Sequence, residues 1–405
     1  MVLCAYLSES MLRTPDMAPR GRAVAAGTAA LAVGLGLGRF GWGPVGTILT
    51  SVGFTPRHIA LAGTLNFAGY LAGALIGFLG AGRFGARRLI VAAAAVPGAF
   101  LLVAMERSVP AYQAAAAVTG LCGGLLMVFA PVAALADAGS ASRALHSGVV
   151  FAGVGSGTAL SGLLVPTVAA GGPAAAASAM AIAGALLTLV VAAGRLDAPV
   201  SVPIGAAALR LNRAARIRLL GLGSAYCGVA VGFVPHTVQW VDVMARELGL
   251  GLMASGLAWA LLGAGAALGP LALGAVAARL GFRRTLDLAF MLIAAAVAAP
   301  FVWPGGSTAL SSLAVGTLTI GSVALASGRC REIVGAGAHA RAWALLTCAY
   351  AVAQVLGAAA LATLLAAGIG RLATFALAGA AVLAGAALNV LCERAARHTE
   401  RRHAS

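Results

Sequence analysis

The sequence predicts an all-α membrane protein in which about twelve transmembrane helices form two pseudo-symmetric bundles of six. Composition is the first reason, because 61% of the 405 residues are hydrophobic and only 9% are charged. A water-soluble domain carries roughly 25% charged residues, so lipid has to cover most of this protein's surface. The second reason is the number of long apolar stretches, and the third is an arginine distribution that alternates along the chain.

Each apolar stretch is long enough for one span, since a helix needs about 20 residues to cross a hydrocarbon core of about 30 Å. The first six spans are predicted at 23–50, 59–82, 89–105, 111–136, 147–169 and 174–193. The last six are predicted at 219–241, 250–278, 286–302, 309–327, 342–366 and 373–391. The chain then divides into an N-terminal tail at 1–22, a first bundle at 23–193, a linker at 194–218, a second bundle at 219–391 and a C-terminal tail at 392–405.

The basic residues predict the orientation. All 27 of them are arginines. With the N-terminus in the cytoplasm, 22 arginines fall on the cytoplasmic side, four fall in outward loops, and Arg39 lies within the first span. Such a bias is typical of cytoplasmic loops. The sequence therefore predicts a multi-pass protein of the bacterial inner (cytoplasmic) membrane with both termini in the cytoplasm.

The same distribution identifies the partners. The net charge of +16 lies where anionic lipid headgroups would attract it, so we expect the lipid bilayer and no nucleic acid as a partner. We also expect a small-molecule substrate and a monomer, and coupling to protons stays open. The six cysteines lack metal-binding spacing, so we expect neither a metal nor a cofactor. No catalytic motif is present, so we do not expect the protein to be an enzyme.

A short arginine-rich turn occurs twice. Arg83, Gly85 and Arg87 follow the second span, and Arg279, Gly281 and Arg283 follow the eighth at an offset of 196 residues. Two halves with matching features are typical of transporters whose site lies between repeats. Both turns resemble the cytoplasmic loop motif of the major facilitator superfamily, although Gly82 and Ala278 replace its aspartate.

Segments 36–44 and 66–74 are similar to the YbfB/YjiJ-like branch of that superfamily. The resemblance covers nearly the whole chain. It implies a transporter fold with alternating access, and it implies that the six residues of the two turns form a gating motif. It fixes no single substrate.

Arg39 is the most informative side chain. A charge within hydrocarbon costs at least about 2.5 kcal/mol, and Pro44 interrupts the backbone pairing five residues later. One interpretation is a cation facing the central cavity, where it binds an anionic substrate. The other is an arginine whose head reaches the outer lipid headgroups.

Polar residues in three further spans complete the predicted substrate site. They are Asn66 and Tyr70 in span 2, Tyr226, His236 and Gln239 in span 7, and Tyr350 and Gln354 in span 11. Each pattern also has a structural interpretation: hydrogen bonds between helices, or a histidine bonded to backbone near the outer interface. Among them, His236 is the residue that could carry a coupling proton, because histidine titrates near neutral pH.

Span 5 contains a run of small residues between 153 and 162. A dinucleotide-binding loop would need a strand before it, so we expect a tightly packed gating helix instead.

Together these features predict a secondary active transporter that moves a small organic solute, with an anion favoured by Arg39. Two alternatives stay open. One is an efflux carrier for drugs or metabolites, and the other is a membrane sensor without transport.

Overall fold

The structure is a computed structural model that describes residues 17–79, 85–136, 140–194, 196 and 211–404. Within these residues, twelve helices are long and apolar enough to cross a membrane, as predicted. In the first bundle they are α1 (Met17–Leu31, a π-helical Ala32–Leu37 and Trp42–Leu49), α2 (Pro56–Leu79), α3 (Ala86–Glu106), α4 (Val109–Ala134), α5 (Ser140–Thr167) and α6 (Gly172–Ala193). In the second they are α7 (Arg213–Val238), α8 (Gly251–Leu280), α9 (Phe282–Val302), α10 (Thr308–Val334), α11 (Ala336–Ala366) and α12 (Arg371–Ala404).

The helices pack as two bundles of six. In the first bundle α2 packs on α4, α3 packs on α6, and α1 packs on α5. The second repeats this arrangement, with α8 on α10, α9 on α12 and α7 on α11, and α7 also packs on α12. The bundles meet through α5 against α8, α2 against α11 and the facing parts of α1 and α7. We call the end of the molecule where α1 begins and α12 ends the termini face, and the other end the far face.

Several helices extend beyond the predicted spans at the termini face. α7 begins at Arg213 rather than 219, and α12 continues to Ala404, so the predicted tail is helical through residue 404. The extra turns carry ion pairs: Arg218 lies 2.6 Å from Glu400, and Arg329 lies 3.1 Å from Glu393. Hydropathy marks only the part of a helix that lipid solvates, so it misses these charged ends.

α1 is interrupted near its middle. After the π-helical turn at Ala32–Leu37, residues 38–41 form turns before the helix resumes at Trp42. Pro44 has no N–H to donate to the carbonyl of Phe40, so regular pairing cannot pass through this point. Lipid cannot satisfy open backbone groups, and residues 31–49 are accordingly all buried. The interruption carries Arg39 into the protein.

The contact between α5 and α8 is made by backbone against backbone. Gly155 faces Gly263, and one heptad further Gly162 faces Gly256. A Cβ atom on Gly263 would lie 2.3 Å from the amide nitrogen of Ala159 and 2.6 Å from the carbonyl oxygen of Gly155. Small residues allow this approach, which is how helices associate in lipid. The close packing predicted for span 5 is therefore present, and it joins the two bundles.

This contact predicts a difference between two glycine substitutions on α8. Gly263→Ala forces the bundles apart, and overpacking costs typically about 1–3 kcal/mol, so we expect a melting temperature in detergent several degrees lower. Gly274→Ala on the same helix meets no atom within 4 Å and gains helix propensity, so it should melt at or above the parent temperature. Equal melting of the two variants would contradict the packing described.

Candidate functional site

Arg39 lies at the interface of the two bundles and is 8% exposed. Its guanidinium donates a hydrogen bond to the side-chain oxygen of Gln354 on α11, which belongs to the other bundle. The guanidinium carbon also lies 4.2 Å from the ring centroid of Tyr70 and 4.9 Å from that of Phe67, both on α2. Arg39 therefore connects α1, α2 and α11 at the centre of the molecule. Of the two positions that the sequence left open, the protein interior and the outer headgroup region, it occupies the interior.

The charge of Arg39 has no negative partner among the described residues. No described carboxylate lies within 4.0 Å of the guanidinium, and its Nε atom has no hydrogen-bond acceptor. The amide oxygen of Gln354 and the aromatic rings stabilise the cation through dipole and cation–π interactions, but they carry no charge. The site therefore has an excess positive charge and an unused donor.

Tyr226 on α7 and Tyr350 on α11 lie in the neighbourhood of Arg39. The two tyrosine rings are 4.4 Å apart, and Tyr226 also lies 5.6 Å from Trp343. Five of the predicted site residues therefore come together: Arg39, Tyr70, Tyr226, Tyr350 and Gln354. The aromatic chain leads from Arg39 toward the termini face along α11.

The far side of Arg39 is closed. A cavity of about 20 Å³ lies there between Trp42, Asn66, Tyr112 and Val238, which is room for about one water molecule. Beyond it, residues 232–244 of the second bundle are all buried. On the termini side Trp343, Thr347 and Tyr350 are partly exposed. The interface is therefore closely packed on the far side of Arg39, whereas α11 is partly exposed on the termini side.

Asn66 lines the small cavity beside Arg39 and also bonds the backbone of neighbouring helices. Its side-chain nitrogen donates to the carbonyl oxygens of Gly38, at 3.0 Å, and Ala116, at 2.8 Å. The first of these carbonyls belongs to the interruption of α1. Asn66 thus satisfies a backbone group that the broken helix leaves open, and it fixes the segment that carries Arg39.

His236 lies apart from Arg39, in an aromatic pocket of the second bundle. Its ring is 5.2 Å from that of Trp240 and 5.0 Å from that of Phe375. Its Nε2 atom is 2.9 Å from the hydroxyl of Ser311, whose proton goes to the carbonyl of Ala296. The hydroxyl must therefore accept from Nε2–H, and Nδ1 has no partner. This arrangement suits a packed neutral ring.

Gln239 belongs to a polar cluster at the far face. Its amide donates to the hydroxyl of Thr374 at 2.7 Å. In the same cluster Asp242 accepts from Arg246 at 2.6 Å and pairs with Arg371. All five residues lie in the second bundle, so the cluster joins the end of α7 to the start of α12.

The twin turns have different local structures. Gly281 links α8 to α9 with a φ of 78°, which favours glycine, and Arg283 lies 3.4 Å from Asp287 one turn later. Arg279 lies in the last turn of α8. In the first half Gly85 precedes α3 in an extended conformation, Arg87 lines a groove between α3 and α4, and Arg83 lies outside the described residues. Their gating role stays a prediction.

Sequence reasoning missed three aromatic residues. Phe67 stacks on Arg39, and Trp343 continues the tyrosine pair. Trp259 on α8 donates at 3.1 Å to Ser161 on α5, which is a hydrogen bond between the bundles. Phe67 is three residues from Tyr70 and could have been placed on the same helix face, but apolar aromatic residues give no signal of their own in a membrane helix.

Twelve helices in two bundles, with a buried charged group between them, define a polytopic membrane transporter rather than an enzyme. The sequence model of the family described as "Uncharacterised MFS-type transporter YbfB" matches residues 31–391, and the chain belongs to this family of the major facilitator superfamily. The predicted resemblance is thereby confirmed. No curated protein matches the chain.

Solved structures support the same fold. An auto-inhibited POT family peptide transporter has a TM-score of 0.69 at 13% identity, covering 93% of this chain and 96% of that one. A point mutant of a peptide transporter POT, in complex with sulfate, has a TM-score of 0.72 at 16% identity, covering 95% of this chain and 96% of that one. At these identities the similarity concerns the fold alone.

Asn66 provides a test of the support for α1. Asn66→Ala removes the donor to the Gly38 carbonyl, and an unsatisfied buried group costs about 1–3 kcal/mol, so we expect a clearly lower melting temperature in detergent. Thr64→Ala is the control, because the Thr64 hydroxyl bonds only the carbonyl of Ala60 in its own helix. If both variants melted like the parent, Asn66 would have no such role.

Proposed function

We propose that this transporter carries a small organic anion, which binds Arg39 between the two bundles. One observation supports the proposal most: a buried guanidinium that no described carboxylate neutralises. A buried charge is stable only when it is paired, and an anionic solute would supply the pair. The solute would displace Gln354 or share the guanidinium with it.

Alternating access would use the contacts between the bundles. In the present arrangement the far side is closed by the buried parts of α1 and α7, while Tyr350 on the termini side is partly exposed. Rocking the bundles about α5 and α8 would open the far side and close the termini side. We propose, from the arginine distribution, that the termini face is cytoplasmic and that the membrane is the bacterial inner membrane.

Removing the charge tests the site. We expect Arg39→Gln in reconstituted vesicles to lower uptake of the transported anions at least about 30-fold, since losing one partner of a buried charge pair costs about 2–5 kcal/mol. Arg57→Gln is the matched control, because Arg57 is exposed near the start of α2. A panel of labelled organic anions serves as the measurement. Unchanged uptake of every anion that the parent carries would remove Arg39 from the site.

Proton coupling, which the sequence leaves open, would have to use a titrating group within the spans. His236 is the predicted carrier, but its one hydrogen bond already uses Nε2–H, and it lies in an aromatic pocket. We therefore propose that His236 has a structural role.

His236→Gln keeps a donor for Ser311 and removes the titrating ring. We expect its anion uptake to show the same dependence on an imposed pH gradient as the parent's. A variant that transports the anion but no longer responds to the gradient would instead make His236 the proton carrier.

A further inference from the structure

We infer that the site at Arg39 takes a monoanion with a planar aromatic body, such as an aryl carboxylate. This inference rests on the proposed function and goes beyond it by naming the class of solute. Three properties of the site carry it: a single positive charge, the absence of carboxylates from the interior of the spans, and a stripe of aromatic side chains that ends at Arg39.

The single positive charge of the site matches a solute that carries one negative charge. Arg39 is the single arginine within the interior of a predicted span, and the chain has no lysine. A phosphate ester or dicarboxylate would bring a second charge without a partner into a buried site, where an unpaired charge is strongly unfavourable. Arg39 therefore favours a monoanion over a dianion.

The positions of the acidic residues argue against a zwitterionic solute. All eleven lie outside the interiors of the spans predicted from the sequence: Glu9, Asp16, Glu106, Asp137, Asp197, Asp242, Glu247, Asp287, Glu332, Glu393 and Glu400. An amino acid or a peptide presents an ammonium group, which needs a carboxylate when it is buried. Among the described residues the buried carboxylate of Asp242 is already paired with Arg246 and Arg371, so the site offers no unpaired carboxylate and differs in chemistry from one built for peptides.

The body of the solute would meet aromatic rings. Trp343, Thr347, Tyr350 and Gln354 are spaced at i, i+4, i+7 and i+11 on α11, so they form one stripe about 16 Å long at 1.5 Å per residue. Tyr226 on α7 lies beside this stripe, 4.4 Å from Tyr350 and 5.6 Å from Trp343. Aromatic rings pair favourably with other rings in stacked and edge-on arrangements, by about 0.5–1.5 kcal/mol beyond their buried area.

The positions along this stripe set the order of contacts. Gln354 contacts the guanidinium, whereas Tyr350 and Trp343 lie successively closer to the termini face and are partly exposed. A carboxylate on Arg39 would therefore leave the rest of the solute against Tyr350 and Trp343.

Binding of four related compounds to the purified full chain in detergent tests the inference. The probes are 2-naphthoate, its saturated decahydro analogue, naphthalene-2,6-dicarboxylate and 2-naphthylalanine. We expect the Kd of 2-naphthoate to be at least tenfold lower than that of each of the others, because only it combines one charge with a planar body. Equal affinity for the saturated analogue, the dianion or the amino acid would overturn the inference, and so would no binding of 2-naphthoate.

Variants assign the effect to the aromatic stripe. Tyr350→Leu and Trp343→Leu should each raise the Kd of 2-naphthoate about tenfold and remove its advantage over the decahydro analogue. Retained binding of that analogue shows that these variants are folded. If Tyr350→Leu and Trp343→Leu bind 2-naphthoate like the parent, the stripe does not select the solute.

Arg39→Gln separates this inference from the proposed function. One outcome is that Arg39→Gln loses all anion binding while the parent shows no preference for 2-naphthoate. This outcome would support the anion site and overturn only the inference that its solute is aromatic. Unchanged anion binding in Arg39→Gln would overturn both.

Discussion

The positive charge of Arg39 is the constraint on which the central arrangement depends. A guanidinium in a membrane protein is stable where water, lipid headgroups or counter-charges reach it, and the other arginines meet this condition by lying at helix ends and in connecting segments. Arg39 instead has an amide oxygen and aromatic rings around it. These groups make its burial possible without neutralising it, so the site between the bundles keeps a positive charge.

This placement of Arg39 requires an irregular α1. In a regular helix the direction of the Arg39 side chain would be fixed by its position in the sequence. The π-helical turn and the interruption after it change that direction. Such backbone is tolerated at membrane depth only where protein surrounds it. Asn66 satisfies the open carbonyl of Gly38, and the hydroxyl of Thr119 accepts from Trp42 at 2.8 Å on the other side of the break. The packing around the interruption thus fixes the position of Arg39. The need to place this charge between the bundles explains why α1 is interrupted at the centre of the molecule.

The interactions within and between the bundles differ in kind. Ion pairs such as Arg218 with Glu400, and Asp242 with Arg371, connect helices of the second bundle to one another. Between the bundles, α5 and α8 meet mainly through glycine backbones and the hydrogen bond from Trp259 to Ser161. Ion pairs therefore join the helices of the second bundle, while the contact of α5 with α8 depends mainly on shape. This division suits a carrier whose halves rock as units.

The sequence by itself determined the twelve spans, the two halves and the presence of an arginine within the first span. Apolar length and charge are properties of a single segment, and they decide directly whether lipid can solvate it. Only the tertiary structure decided which polar residues meet. Asn66 and Tyr70 share one helix face, yet the first bonds the backbone of neighbouring helices and the second stacks on Arg39. Gln354 reaches Arg39 from 315 residues away, whereas His236 and Gln239 turn into their own bundle. Helical periodicity gives a direction around one axis, but the neighbour in that direction depends on how all twelve axes pack.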